Sequence, residues 1–376
     1  MKLHNSNDNS PLRERWINLR NKVLADPGFQ RFAVRFWFTR PIVRRRAQIM
    51  FDLVAGFTYS QIIAACIQSR LLDRLAEGAM DLDAIAKAVD LPIEGADRLV
   101  RAAAALKLAE RVGPGRWALG ADGAALRGNG GIAEMVAHHH LLYADLMDPM
   151  ALLRRGGGGG QLSHYWTYAE SSGQGEGAEV AAYSALMAAS QPMIASHVIA
   201  SYNFARHRRM LDVGGGQGAF VSAVAARVPT LSLAMFDLAA VGDRARRALA
   251  AAGHRDRIEV FGGDFLTGPL PTGHDLITLI RILHDHDDAP ALQLLRNVHA
   301  ALPVGGKLLI AEPMAETKGA ESAGDAYFGM YLWAMGSGRP RSFAAIGDLL
   351  REAGFSSFRR VPTPLPLTVS AIIATR

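Results

Sequence analysis

Cysteine is almost missing from this 376-residue chain. The single Cys66 excludes an internal disulfide framework and fits a reducing compartment. Aromatic residues make up 7% and charged residues 20%, an ordinary balance for a soluble globular protein. No N-terminal stretch shows the charged, apolar and small-residue order of a signal peptide. The most lipid-like run, Leu53 to Ile67, is interrupted by Gly56 and Gln61 and reads as too short to span a bilayer. Positive charge is scarce outside one end. Residues 1–50 hold 11 Lys or Arg against 3 Asp or Glu, so the rest of the chain is slightly acidic although the whole carries +6. The basicity belongs to an arm, and a nucleic-acid-binding core is not implied.

The length suffices for two or three domains. From Leu12 to Arg46 arginines alternate with Trp16, Ile17, Phe29, Phe32, Phe36, Trp37, Phe38 and Ile42. Such a basic aromatic helix or helix pair suits an anionic membrane surface, or packing on its own or a partner subunit. Ala47 to Leu75 reads as helical. Asp81 is the expected N-cap of a short helix to Val89, Glu94 to Leu108 is a second helix, and a hairpin turns at Gly113-Pro-Gly115. This is a winged-helix pattern, but its second helix opens with Glu94 and Asp97, which phosphates repel. Dimerisation or a substrate lid fits better than DNA.

His138, His139 and His140 cannot converge on one metal, because consecutive helical residues point about 100° apart. His140 is the residue expected to face a pocket, and no metal site is expected. The glycine run 156–160 lacks a phosphate-loop lysine and reads as a flexible connection. Ala178 to Ala205 reads as a helix.

The chain's organising stretch is Leu211-Asp-Val-Gly-Gly-Gly-Gln-Gly218, a short apolar strand, a glycine turn and a helix from Ala219. Strands and helices alternate from there. Strands are expected at 209–213, 231–236, 258–261, 275–280 and 307–311, then a terminal hairpin at 358–362 and 368–374. The fold class is α/β: a Rossmann-like seven-stranded sheet with a terminal antiparallel hairpin, preceded by an all-helical winged-helix domain. The expected boundaries are a basic arm over 1–46, a winged helix over 47–130, connecting helices over 131–205 and the α/β domain over 206–376.

Gly214 and Gly216 let a nucleoside approach the backbone. Ala219 stands where a dinucleotide fingerprint has its third glycine, which favours S-adenosylmethionine (SAM) over a nicotinamide cofactor. Asp212 suits its ammonium group, Asp237 at the second strand's end suits its ribose hydroxyls, and Asp264 with Phe265 suits its adenine. Each aspartate could instead cap a loop or helix. His284, beside Asp285, is the candidate general base, and Glu312 could hold its imidazole from the far side. Phe328, Tyr331 and Met335 lie in an aromatic, methionine-rich helix that is either acceptor pocket or core.

Leu211 to Gly218, Gly263-Asp-Phe265, Leu283-His-Asp285, Glu312-Pro313 and the segment Met330 to Phe355 resemble the plant-type SAM-dependent O-methyltransferases. The resemblance runs from about Ala47 to Arg376. It implies a homodimer, conversion of SAM to S-adenosylhomocysteine, and His284 as the base. Two departures stand out: His286 replaces a tryptophan, and Pro340 falls where the family has a second glutamate beside the base. Within the family, Arg44 to Gln61 is similar to the purple-bacterial carotenoid methyltransferases, which act on a tertiary C1 hydroxyl. That implies a carotenoid acceptor and a cytoplasmic enzyme, peripheral on the membrane through its arm. A polyketide phenol, a bacteriochlorophyll precursor and a non-catalytic ligand-sensing regulator are the alternatives.

Overall fold

A computed structural model describes residues 11–171 and 191–376; the first part of the helix expected over Ala178–Ala205 lies outside the described residues. The chain divides into two compact units, Met1–Leu119 and Gly120–Arg376.

The first unit opens with helices α1 (Pro11–Ala25), α2 (Pro27–Arg35) and α3 (Arg40–Gln68). Asp26 caps α2 by accepting from the Phe29 amide, and prolines stand in the first turns of α2 and α3, where a missing N–H costs nothing. The arm is therefore a helix pair followed by a third helix that starts seven residues earlier than the pattern suggests. As one continuous 29-residue element, α3 is long and apolar enough by length and composition to cross a membrane. The reading that stopped at Leu53 to Ile67 undercounted it, because a helix carries its apolar run across single polar residues.

Beyond α3, α4 (Leu71–Glu77) leads to β1 (Met80–Asp81), α5 (Leu82–Ala88) and α6 (Ile93–Ala105). Asp81 caps α5 through the Ala84 amide at 2.8 Å, as expected. The hairpin β2 (Ala109–Gly113) and β3 (Arg116–Leu119) then pairs with β1. The winged helix thus carries a three-stranded sheet and is not all-helical. Ile85, Val100, Ala103 and Trp117 form its core.

The second unit begins with α7 (Ala121–Gly128), α8 (Ile132–Asp145), α9 (Pro149–Arg154), α10 (Gln161–Ser171) and α11, described over 191–201. The glycine run is a built corner and not a flexible tether. Gly156 to Gly159 all take left-handed φ, Gly158 donates to the Trp333 carbonyl at 2.9 Å, and a Cβ on Gly157 would lie 2.6 Å from that oxygen. Asp145 fixes the exit by accepting from the amides of Gln161 and Leu162.

Seven strands follow: β4 (Arg209–Val213), β5 (Ser232–Asp237), β6 (Ile258–Gly262), β7 (Leu276–Ile280), β8 (Lys307–Glu312), β9 (Ser357–Val361) and β10 (Ser370–Thr375). Their order is β6-β5-β4-β7-β8-β10-β9, parallel throughout except for β10, which runs antiparallel to both neighbours. Helices α12 (Ala219–Arg227), α13 (Ala239–Ala251), α14 (Asp288–Ala301) and α16 (Phe343–Glu352) accompany the strands. Both sheet faces are covered, which is why β7 reads Leu-Ile-Thr-Leu-Ile without alternation. Strand order reverses between β4 and β7, and the crevice outside the carboxyl ends of strands at such a reversal is where α/β sheets bind ligands.

The stretch before α15 (Gly329–Met335), expected to be an ordinary helix, begins as a π-helix over Ser322–Phe328. Its wider turn changes which side chains face inward, and such segments recur at functional sites.

Candidate active site

The glycine turn leaves β4 with Gly214 at φ 75° and Gly216 at φ 57°, conformations that side chains resist. A Cβ on Gly214 would strike Ile282 at 2.5 Å, whereas one on Gly216 would meet nothing within 4 Å. Gly216 therefore faces open space. Its amide donates to one Asp237 carboxylate oxygen at 2.8 Å, and the Leu238 amide donates to the other at 2.8 Å. Each oxygen keeps a free lone pair, so the carboxylate is held in place and can still accept hydroxyls.

Asp212 is almost fully buried and accepts from the Thr278 hydroxyl at 2.6 Å across the β4–β7 ladder. Burial pushes its pKa up to about 7. It lies behind the turn, with one oxygen close to Gly215. Asp264 uses both oxygens locally, accepting from the Leu266 amide and the Thr267 hydroxyl. Phe265 beside it meets His286 edge-on at 5.5 Å, so the residue in the tryptophan position packs against the expected adenine side.

A short 3₁₀ turn, Leu283–Asp285, follows β7 and carries His284, which is 3% exposed. Its Nε2 lies 3.0 Å from Asp285, while its Nδ1 is 3.9 Å from Glu312, beyond hydrogen-bond length. Glu312 does stand on the far side of the ring, but its bond goes to the His284 backbone amide at 3.0 Å. His284 Nδ1 and the second Glu312 oxygen are both buried without a partner. Burial opposes the charged imidazole, yet the charge and hydrogen bond of Asp285, then the charge of Glu312, hold the His284 pKa above its ordinary value. Asp285, despite burial, is held below the usual carboxylate range chiefly by His284. Glu312 is pushed up by burial.

Sequence reasoning missed what secures this turn. Arg341, buried, donates to the carbonyls of Leu283 and His286 and to Asp288. Arg339 donates its amide to the His284 carbonyl, and Gly338 donates to Asp287. The segment following α15 therefore straps the whole 283–288 loop; in the sequence the pair of arginines flanking Pro340 hints at it, but not their partners. Arg281, at the end of β7, is also held left-handed at φ 58°, at a cost on the order of 1 kcal/mol for a side-chain-bearing residue.

Above the turn, Phe328 lies 6.1 Å from the His284 ring. Tyr331 is buried, with its hydroxyl accepting from the Trp166 indole at 3.2 Å and bonding His138 Nε2 at 2.8 Å. Burial, then His139 and His140, pushes His138 down to about 4, so it is neutral and accepts a hydrogen bond from the tyrosine hydroxyl. His139 pairs with the Tyr327 hydroxyl at 2.7 Å. His140 is exposed and turned to its own helix, so the expectation placed on it passes to its two neighbours. Met335 packs in the core between α8, α9, α10 and α15. Among the described residues no group of three or more His, Cys, Asp or Glu could hold a metal ion.

The sequence profile of the O-methyltransferase domain matches residues 135–356, and that of the O-methyltransferase dimerisation domain matches 51–125. The chain belongs to the O-methyltransferase family. It is 40% identical over 349 residues to a demethylspheroidene O-methyltransferase of Cereibacter sphaeroides, covering 93% of this chain and 92% of the relative. It is 36% identical over 368 residues to the enzyme of the same name from Rhodobacter capsulatus, covering 98% and 92%. The structure of human N-acetylserotonin methyltransferase in complex with SAM superposes with a TM-score of 0.74 at 22% identity, covering 88% of this chain and 97% of that one. This O-methyltransferase depends on SAM, and the residues present fit that donor: open space at Gly216, a pre-oriented Asp237 beside it and a buried carboxylate under the turn.

Proposed function

We propose that this methyltransferase transfers the methyl group of SAM to the tertiary C1 hydroxyl of an acyclic hydroxycarotenoid such as demethylspheroidene. The similarity to the two bacterial enzymes over nearly the whole chain carries the reading. Bound SAM supplies an electrophilic methyl on a positively charged sulfur. Gly216 leaves room for it while Gly214 lets the turn pass Ile282, Asp237 accepts its ribose hydroxyls, and Phe265 packs on its adenine with Asp264 beside it. Asp212, through the turn, offers negative charge to its ammonium. His284 takes the acceptor proton. Nε2 is the nitrogen offered to the acceptor, its Asp285 contact giving way to the incoming hydroxyl, and the nearby carboxylate stabilises the imidazolium that forms. Glu312 fixes the turn's main chain. Phe328 and the Tyr331 ring wall the acceptor's end, the tyrosine hydroxyl being committed to Trp166 and His138.

The dimerisation segment supports a homodimer. The arm supports a peripheral seat on the cytoplasmic face of a membrane, from which a polyene is collected. Helices α1 and α2 expose Trp16 and Phe32, and the link to α3 exposes Phe36, Trp37 and Phe38, among arginines.

Incubating the purified protein with labelled SAM and a panel of hydroxycarotenoids, porphyrin precursors and phenols tests the acceptor. A labelled methyl ether at C1 of an acyclic hydroxycarotenoid is the expected product. Label appearing only in a phenol or a porphyrin overturns it.

A further inference from the structure

A 3₁₀ turn of three residues does little to hold its own shape. The closing bonds of Leu283–Asp285 are long: 3.2 Å from the Asp285 amide to the Ile282 carbonyl, and 3.4 Å from the His286 amide to the Leu283 carbonyl. The shape is imposed from outside. Each carbonyl from Leu283 to His286 is taken by the strap. Arg341 donates to Leu283 at 2.9 Å and to His286 at 2.7 Å, the Arg339 amide to His284 at 2.9 Å, and the Ser337 hydroxyl to Asp285 at 3.1 Å. On the other side Glu312, at the end of β8, accepts from the His284 amide. The Arg341 carbonyl accepts from the amide of Ala315, just past β8, so turn and strap are fastened to the same exit from the sheet.

A guanidinium buried as deeply as that of Arg341 needs partners in good geometry, and it finds two of them in the turn itself. A planar fork can bond the Leu283 and His286 carbonyls together with Asp288, whereas an ammonium is a single point. Gly338 completes the fit. At φ 75° its amide donates to Asp287, and a Cβ there would overlap the His284 carbonyl oxygen. The same stretch of chain starts as the wall of the acceptor site. Phe328 lies 6.1 Å from the His284 ring, Tyr331 follows in α15, and Gly336, which caps that helix, opens the strap. The geometry points to Arg341 as a positioning residue: through the strap it holds the imidazole in register with the acceptor wall, so that hydroxyl, base and methyl meet in line. This rests on His284 as the base, proposed above.

The test compares wild type with Arg341→Met, Arg341→Lys and Gly338→Ala, the last of which pushes on the turn and leaves the guanidinium in place. The acceptor is whichever compound of the panel above the wild type methylates, demethylspheroidene being expected. Calorimetry with S-adenosylhomocysteine counts donor sites, so kcat is taken per molecule that binds. Arg341→Met should lower that kcat about 100-fold, Gly338→Ala about 30-fold and Arg341→Lys about 10-fold, with donor affinity and acceptor KM within about threefold of wild type. A pH profile separates positioning from charge. Asp285, Glu312 and Arg281 face the imidazole, and the two carboxylates hold its pKa up. Loss of a positive charge alone would raise the pH at which kcat/KM falls off, whereas a turn that lets His284 drift from Asp285 lowers it. All three variants should move that acid limb to lower pH. Full kcat per donor site, an acid limb that stays or moves to higher pH, or loss of donor sites in all three variants overturns the inference; the last would make the strap a matter of folding. His284→Ala, assayed alongside, tests the reading beneath. Wild-type kcat there removes the base assignment whatever the strap does, while a slow His284→Ala beside fast strap variants removes this inference alone. A wild type that methylates nothing in the panel overturns both.

Discussion

The carboxyl edge of the sheet and the N-terminal arm use the same residue types to opposite ends. At the sheet edge aromatic rings and charges are sealed together: His284, Glu312 and Arg341 are each at most 3% exposed and face one another. In the arm the arginines and rings are spread over the surface, with Trp16 60% and Trp37 67% exposed. Buried charges shift one another's proton affinity and fix geometry, while exposed ones serve contact with something outside. The first arrangement suits chemistry, the second docking.

Several experiments would sharpen or break that contrast. The largest effect is expected for His284→Ala, which should lower kcat about 10³-fold while calorimetry still detects SAM binding. Comparable turnover would remove His284 from the reaction. Asp237→Ala removes a charged acceptor of two hydroxyl bonds and should weaken SAM binding about 100-fold; unchanged affinity would contradict the donor site as drawn. Since His284 must be neutral to accept a proton and its pKa is raised, kcat should fall as pH drops through a value above the usual 6.5. Asp285→Asn removes the main cause and should move that point to lower pH in a pH–rate profile. Asp212 shows the linkage with opposite consequence. Its pKa of about 7 exceeds that of an unfolded aspartate, so the folded state holds the extra proton and stability without donor falls as pH rises from about 4 to about 7. In Asp212→Asn that slope should flatten in melting curves taken across the range. The smallest catalytic effect belongs to the arm. Deleting residues 1–39 should abolish pelleting with anionic vesicles yet leave kcat on a soluble acceptor within about twofold, because charge at the surface acts through contact alone. Equal pelleting would retire the membrane seat, and pelleting of the whole protein that resists high salt would point to deeper insertion by α3.

Much of the fold was legible before any coordinates. The strands of the sheet fall within two residues of the sequence reading, because most are short apolar runs, and β5, β6 and β8 end in Asp237, Gly262 and Glu312 at the crevice. Asp237 and His284 were visible for the same reason: they stand at strand ends, and strand ends are local features. What stayed hidden depends on partners remote in sequence. The choice of His138 and His139 over His140 turns on helix phase against Tyr331 and Tyr327, about 190 residues away. Glu312 was placed on the correct side of the imidazole, but its bond to the backbone could not be read from residue order. The strap through Arg341 and the docking of the glycine run on Trp333 are long-range contacts of the same kind.

The wide-turned segment Ser322–Phe328 holds one residue more per turn than its neighbours require. Removing a single residue there would let the coil tighten to ordinary pitch and swing Tyr327 and Phe328 through about 100°. The strands and the glycine turn would keep their length and register. A change of length in that one coil would thus re-aim the two rings beside His284 with no rebuilding of the scaffold beneath.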